Sequence, residues 1–348
     1  MSFLARPFAA LRAHPDHAAG VAAPPYDVMS RVEAKALAGA NERSFLRISR
    51  AEIELSDAID AYAEDVYARA ATNLKAFEAA GYLVRDAQPG YYVYRVGNGT
   101  HTQTGIAFAA SVKAYRENRI RRHELTRPAK ESDRVRQIDA INAQTGPVLL
   151  AHRDNAALAA AIDAQTQVHP ALEAEVDGWR HQVWQIDSTT VITELTNQLN
   201  GCGAFYIADG HHRSAAAERV CSRRGGGEAL AHHGFLAVSF PASTLRILDY
   251  NRVVRDLNGR SPQDFLSALE TRFEITPSPV AISPSVRHTY GLYVGQQWFE
   301  LKLRRQPTAD DPVEQLDVRV LDAAVLEPLL GIADPRTDDR IDFIGGSR

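Results

Sequence analysis

The chain has 348 residues, of which 45% are hydrophobic and 24% charged, with a formal net charge of −4. This is the balance of an ordinary globular protein, long enough for two or three domains and a sizeable core. It excludes non-specific nucleic-acid binding through bulk charge and leaves only a local basic patch as a route to anionic partners.

Residues 1–55 read as short elements broken by turns. Pro24 and Pro25 fix their own backbone and push the preceding residues extended, so "APPYDV" should present Tyr26 and Asp27 on a stiff loop. Between Ser56 and Ala80, Ile59, Tyr62, Val66, Ala70, Leu74 and Phe77 recur at helical spacing. That predicts a helix with Ser56 as N-cap and Gly81 just past its end. "YYVYRV" and "THTQTGIAFAASV" predict a hairpin turning at Asn98-Gly99.

The charge-dense stretch 119–144 divides into loop and helix, with Pro128 as a break, and "GPVLLAH" is a buried strand. An alanine-rich helix follows over 155–165, then strands at "RHQVWQI" and "GAFYIAD" and a helix over 214–224. "RRGGGE" is a short linker, and "HGFLAVSFPAS" and "LRILDYNRVV" continue the strand pattern. Ser261-Pro262 opens a capped helix, "TYGLYVGQQWFELKL" is a hairpin, and a last helix spans 313–330. Strands, helices and hairpins are interleaved, so the expected fold class is mixed α/β to α+β, divided as 1–115, 116–260 and 261–348.

Two cysteines, Cys202 and Cys221, build no disulfide framework. With His211, His212, His232 and His233 they fall near one another, but their spacings match no usual structural zinc pattern, so no tightly bound structural zinc is expected and Cys221 should be buried on its helix. The N-terminus lacks an apolar secretory core, and no apolar run approaches the ~20 residues of a membrane span. The expectation is a cytoplasmic protein without a membrane partner.

The strongest chemical signal is "FYIADGHHRSAAAERV", residues 205–220, where an apolar strand ends on Asp-Gly-His-His-Arg and a helix begins at once. Gly210 permits a sharp turn and keeps a side chain clear of a ligand. The helix start offers unsatisfied N–H groups and the positive end of its dipole to an anion. His211, His212 and Arg213 add donors, and Arg213 can hold two phosphate oxygens at once. Asp209 would accept from a hydroxyl or meet a metal. The plainer reading has Asp209 as a helix cap and the histidines as solvated turn residues.

A second constellation, "RIRRHELTRPAKESDRVR" over 119–136, carries seven Lys/Arg and His123 against Glu124, Glu131 and Asp133. Arg121, Arg122, Arg127, Lys130 and Arg134 suit a di- or triphosphate, with Glu124 or Glu131 orienting them or serving as base. The alternative is a solvated helix laced by pairs such as Glu131–Arg134. Asp27 is either a structural turn residue or a further carboxylate of the pocket.

"IADGHHRSAAA" resembles the signature of the ParB-like/sulfiredoxin-like superfamily, in particular its free-serine kinases. "RPFAALRAHPDHAAGVAAPPYDVMS", "SFLRISRAEIEL", "IRRHELTRPAKESDRVRQIDAINAQTGPV", "LRILDYNRVV" and "LLGIADPRTDDRIDFIGG" together resemble the domain-of-unknown-function 1015 family, from near residue 6 onward. Members of that family usually continue for some tens of residues past "DFIGG". The resemblance implies a ParB-like nucleotide-binding core over 116–260, flanked by α+β regions with additional hairpins and helices.

It further implies a phosphotransferase working between a nucleotide and a small hydroxyl compound, free serine foremost. Mg²⁺ would arrive with ATP or ADP. Asp209, Glu124 and Asp27 would be the catalytic carboxylates. Gly210, His211, His212, Arg213, His123, Arg127, Lys130 and Arg134 would hold phosphate and nucleotide. Two alternatives stay open: a nucleotide-binding switch without turnover, and a phosphatase of a phosphorylated amino acid. No P-loop, G-x-G-x-x-G or protein-kinase signature is present.

Overall fold

The computed structural model describes residues 3–124, 126–307, 311–335 and 337–345. The chain forms two compact units, Met1–Leu245 and Arg246–Arg348, where the sequence reading sets boundaries at 115/116 and 260/261. The fold is mixed α/β, and one sheet runs through the first unit on both sides of residue 115.

In the first unit the strands are β1 (Ala5–Arg6), β2 (Leu11–Ala13), β3 (Leu83–Arg85), β4 (Tyr91–Gly97), β5 (Thr102–Ser111) and β6 (Ile120–Arg121). They continue with β7 (Val148–His152), β8 (Leu172–Val176), β9 (Trp179–Ile186), β10 (Phe205–Asp209) and β11 (Gly234–Pro241). The helices are α1 (Ala18–Val21), α2 (Arg31–Ala38), α3 (Leu46–Ser49), α4 (Glu64–Ala79), α5 (Val112–Arg116), α6 (Pro128–Ile141), α7 (Ala156–Gln165), α8 (Thr189–Gly201) and α9 (His211–Arg224).

Nine strands form the main sheet in the order β6-β10-β7-β11-β5-β4-β9-β8, with β1 joined to β5. The β10–β6 and β11–β7 pairs are parallel and the remaining pairs antiparallel.

The two-residue period of the strands sets which face each side chain takes. Tyr91, Val93, Ile106, Phe108, Phe205 and Ile207 point to one face. They bury against Leu158 and Ile162 of α7, Leu195 and Leu199 of α8, and Ala217 and Cys221 of α9. Tyr92, Ala107, Val238 and Phe240 form a smaller cluster apart from that core. A satellite core joins Ile48, Val66, Ala70, Leu74, Phe77 and Ile141 from α3, α4 and α6.

Several local expectations change. The helix expected from Ser56 begins at Glu64. Over the missing turns, the Arg31 guanidinium binds the carbonyls of Leu55, Ser56 and Ile59, so a side chain distant in sequence takes acceptors that a helix would have used. At its other end Tyr82 N–H reaches Phe77 O and Gly81 N–H reaches Glu78 O, with Gly81 left-handed, which closes the helix as expected.

The hairpin turns over four residues, because the Asn98 side chain accepts from the N–H groups of Thr100 and His101. Pro128 opens α6 at its first turn and interrupts no helix.

The second unit holds β12 (Tyr250–Val254), β13 (Phe273–Ser278), β14 (Thr289–Val294), β15 (Gln297–Leu303) and β16 (Ile341–Gly345), with α10 (Pro262–Leu269) and α11 (Asp317–Leu321). β13-β15-β14 and β12-β16 form separate antiparallel sheets over a core that includes Phe265, Phe273, Leu301 and Val325. The helix expected over 313–330 is only Asp317–Leu321, followed by a π-helical turn at Asp322–Leu326. That turn buries Ala324, Val325 and Leu326 in succession, which one face of an α-helix could not do. Among the described residues no helix is long and apolar enough to cross a membrane.

Candidate functional site

The strand β10 delivers the Asp-Gly-His-His-Arg turn. Phe205 and Ile207 anchor it in the core, and its register against β7 shifts between Ile207 and Asp209, where the regular ladder ends. Gly210 then takes φ 94 and ψ 29, the left-handed conformation that costs an L side chain most. A Cβ at this position would stand 3.2 Å from Val148 Cα, so space and backbone angle both call for glycine.

The helix α9 starts at once, and Ser214 N–H bonds Gly210 O to close its first turn. No side chain caps the N-terminus, which leaves the early N–H groups for a ligand or solvent. The small buried residues Ser214, Ala215, Ala216 and Ala217 let α9 lie close to its neighbours. Ala216 and Val220 pack against Val135 and Ile138 of α6.

That packing brings the two constellations together around one cavity of about 280 Å³. Lys130, Asp133, Arg134 and Gln137 line it from one face of α6, at the i, i+3, i+4, i+7 spacing of a helix. Asp209, Gly210, His211, His212 and Arg213 line it from the turn, Glu124 from the loop before α6, and Tyr26 and Asp27 from the proline-stiffened segment.

Arg213 is the hub. Its Nη2 donates to Asp209 Oδ2 at 2.7 Å and to Asp27 Oδ2 at 3.1 Å, and its Nη1 binds Pro147 O. The Tyr26 ring has the Arg134 guanidinium 4.4 Å and the Arg213 guanidinium 6.0 Å from its centre. Arg134 is itself paired with Asp133, which also accepts from the Tyr67 hydroxyl at 2.7 Å. The two positive clusters are therefore balanced by carboxylates within the cavity wall. Lys130 is exposed and makes no ion pair among the described residues.

Both histidines of the turn are held neutral. Burial lowers the pKa of His211 to about 4, helped by His123 and His212 and opposed by Asp209. Burial is also the main cause that lowers His212, whose Nε2 accepts from the Arg127 backbone N–H at 3.0 Å. A backbone N–H can only donate, so the His212 proton resides on Nδ1. His123 packs edge-on against the His211 ring with centres 4.6 Å apart.

Of the residues expected from the sequence, Asp27, Glu124, Lys130, Arg134 and all five of the turn meet at the cavity. His123 and Arg127 do not line it: His123 packs on the His211 ring, and the Arg127 backbone N–H binds His212. Leu125 lies outside the described residues. Arg121 and Arg122 lie instead over the rings of Tyr206 and Tyr115. Glu131 turns to Arg219 and Thr126, so the Glu131–Arg134 pair considered as the alternative does not form.

Residues not singled out from the sequence also line the cavity. Arg50 binds the Tyr26 and Met29 carbonyls at 2.8 and 2.7 Å and pairs with buried Glu52, fixing the "PPYDV" segment. The polar Ser49-Arg50 and Glu52 set among Ile48, Ala51 and Ile53 are the one trace of this role in the sequence.

Cys221 is buried, and the rings of His232 and His233 both meet Gly225 O. Among the described residues no three His, Cys, Asp or Glu gather as a metal-binding group.

No curated protein and no solved structure matches the chain. The family described as "Protein of unknown function (DUF1015)" matches residues 5–319, which takes in both arms of the cavity and stops short of "LLGIADPRTDDRIDFIGG". By that match over most of its length, the chain belongs to the DUF1015 family.

Proposed function

We propose that the protein is a phosphotransferase that moves a phosphoryl group between a nucleotide and a small hydroxyl compound, free serine foremost, on a ParB-like nucleotide-binding core. The observation that carries this reading is the convergence of α6 and the Asp-Gly-His-His-Arg turn on one cavity. Phosphoryl transfer asks mainly for positioning and charge neutralisation. The uncapped start of α9, Lys130, Arg134 and Arg213 supply these.

A cavity of about 280 Å³ lies just under the ~300 Å³ at which drug-sized pockets begin, so it suits a phosphate tail and a small acceptor better than a whole nucleotide. Entry of phosphate would draw Arg213 away from one or both of its carboxylates. Asp27 and Asp209 share one guanidinium nitrogen and would then be the pair to hold Mg²⁺ brought by the nucleotide. The metal would supply charge neutralisation on the phosphate.

The test is incubation of the protein with Mg²⁺, with ATP, ADP or CTP, and with serine or other small hydroxy compounds. A new phosphomonoester is the expected product. Binding without turnover would replace the reading by the switch, and release of inorganic phosphate from phosphoserine alone would replace it by the phosphatase.

A further inference from the structure

Two buried side chains of the cavity wall each keep one oxygen without a partner. Glu52 is 4% and Gln137 5% exposed, and both line the cavity. Arg50 Nε donates to Glu52 Oε1, and Oε2 meets no donor among the described residues. Gln137 Nε2 donates to Ile48 O at 3.1 Å. A carbonyl only accepts, so that bond fixes the amide with its nitrogen toward Ile48 and leaves Oε1 unpaired. Neither oxygen is sealed in the protein. The side-chain atoms that are both sealed and unpaired among the described residues are nitrogens of Arg31, His101, His211 and Arg252. Glu52 Oε2 and Gln137 Oε1 are therefore open to solvent. For Glu52 the opening is the cavity; Gln137 also borders a recess of about 30 Å³ beside Tyr26, which holds little more than a water.

Both atoms can only accept, so the group that fills the space before them must donate. A carboxylate or phosphate would be repelled there, and a hydroxyl brings one proton for two acceptors. A primary ammonium carries three donors, no lone pair and a charge opposite to that of Glu52. Nothing on this wall opposes a cation: Arg50 and Arg134 are paired with Glu52 and Asp133. Lys130, which makes no ion pair among the described residues, stands two turns back on α6, about 10 Å along the helix axis.

We propose that Glu52 Oε2 and Gln137 Oε1 form a pocket for the primary ammonium group of the acceptor substrate. This rests on the phosphotransferase reading and narrows its acceptor from any small hydroxyl compound to one that also bears an amine, an amino alcohol or hydroxy amino acid. Gln137 stands one helical turn beyond Arg134 on the cavity-lining face of α6, so the amine end of the acceptor follows the phosphate end along one helix. Ile48 O and Arg50 hold the two acceptors in place, which makes the pocket preformed.

The test uses the whole protein and two pairs of probes in which a hydroxyl replaces the ammonium: ethanolamine against ethylene glycol, and serine against glycerate. In NMR without nucleotide, ethanolamine and serine should give saturable shifts of the Gln137 side-chain amide and the Glu52 backbone amide, and their partners none. With Mg²⁺ and the nucleotide the protein accepts, kcat/KM should favour the amine of each pair by about 100-fold or more. Glu52→Gln keeps an oxygen for Arg50 and removes the charge. It should weaken amine binding by about tenfold or more while pyrophosphate binding stays within about threefold.

No shift with either amine, equal shifts or equal kcat/KM within a pair, or unchanged amine binding in folded Glu52→Gln would each overturn the pocket while leaving phosphotransfer intact. The comparison within each pair needs only the unaltered chain, so it decides the matter even where Glu52→Gln does not fold. Saturable amine binding without transfer from any nucleotide to any acceptor would instead remove the phosphotransferase reading itself, and the acceptor-binding role with it.

Discussion

Arg213→Ala is expected to weaken pyrophosphate or nucleotide binding by about 2 kcal/mol or more, roughly thirtyfold, in a protein that still folds. The guanidinium touches Asp209, Asp27 and Pro147 O together, and its loss removes the fork that would grip two phosphate oxygens. It also leaves two carboxylates facing one another without their cation. Both are partly exposed, at 40% and 63%, so water screens much of that repulsion.

The stability loss should therefore stay near 2 kcal/mol, which lowers the melting temperature by roughly 4–8 °C in a unit of this size. Arg213→Lys keeps the charge but not the fork, and should recover stability better than it recovers affinity. Calorimetric titration beside thermal melts reads both effects. Pyrophosphate affinity unchanged in folded Arg213→Ala would remove the turn from the ligand site.

The second large effect is expected at Gly210. An Ala there must adopt φ near 94°, at a cost of about 1–2 kcal/mol, and place its Cβ 3.2 Å from Val148 Cα. Val148 belongs to a central strand and cannot yield as a flexible side chain would. Gly210→Ala should therefore destabilise by roughly 2–3 kcal/mol in urea unfolding.

Gly81 provides the control. It too is left-handed, at φ 73, but nothing lies within 4 Å of the Cβ it would gain, so Gly81→Ala should cost only about 1 kcal/mol. Equal costs at the two positions would mean that the turn is looser than described. Because Asp209 and His211 flank Gly210, the same substitution should also weaken phosphate binding.

Much of this was legible in the sequence because it follows from local rules. The apolar run into Gly210 and the small residues after it name a strand, a sharp turn and a close-packed helix, and β10, Gly210 and α9 are those elements. Lys130 and Arg134 stand one helical turn apart, so a helix through them points both the same way, although Pro128 opens that helix where the sequence suggested a break.

What was not legible depends on distant chain segments. Ser56 looks like an N-cap, but Arg31 claims the carbonyls that follow it. Arg50 and Glu52 read as ordinary charges until the fold buries Glu52 and closes Arg50 on the backbone of Tyr26. The helix α8 begins Thr189-Thr190-Val191-Ile192-Thr193, residues of weak helix propensity, and tertiary packing of Leu195 and Leu199 outweighs that preference. The basic stretch 119–136 carries no mark of which cations turn inward. Arg121 and Arg122 are drawn off to aromatic rings and Lys130 is left facing the cavity.

The central claim is that α6 and the Asp-Gly-His-His-Arg turn form a single phosphate site. Its most direct measurement is amide NMR of the labelled protein during titration with inorganic pyrophosphate and Mg²⁺. The predicted result is saturable shifts of the Gly210–Arg213 amides together with those of Arg127, Lys130 and Arg134, all following one binding curve that Arg213→Ala abolishes. Shifts confined to one arm, two arms that saturate independently, or no saturable shift in either arm would contradict it.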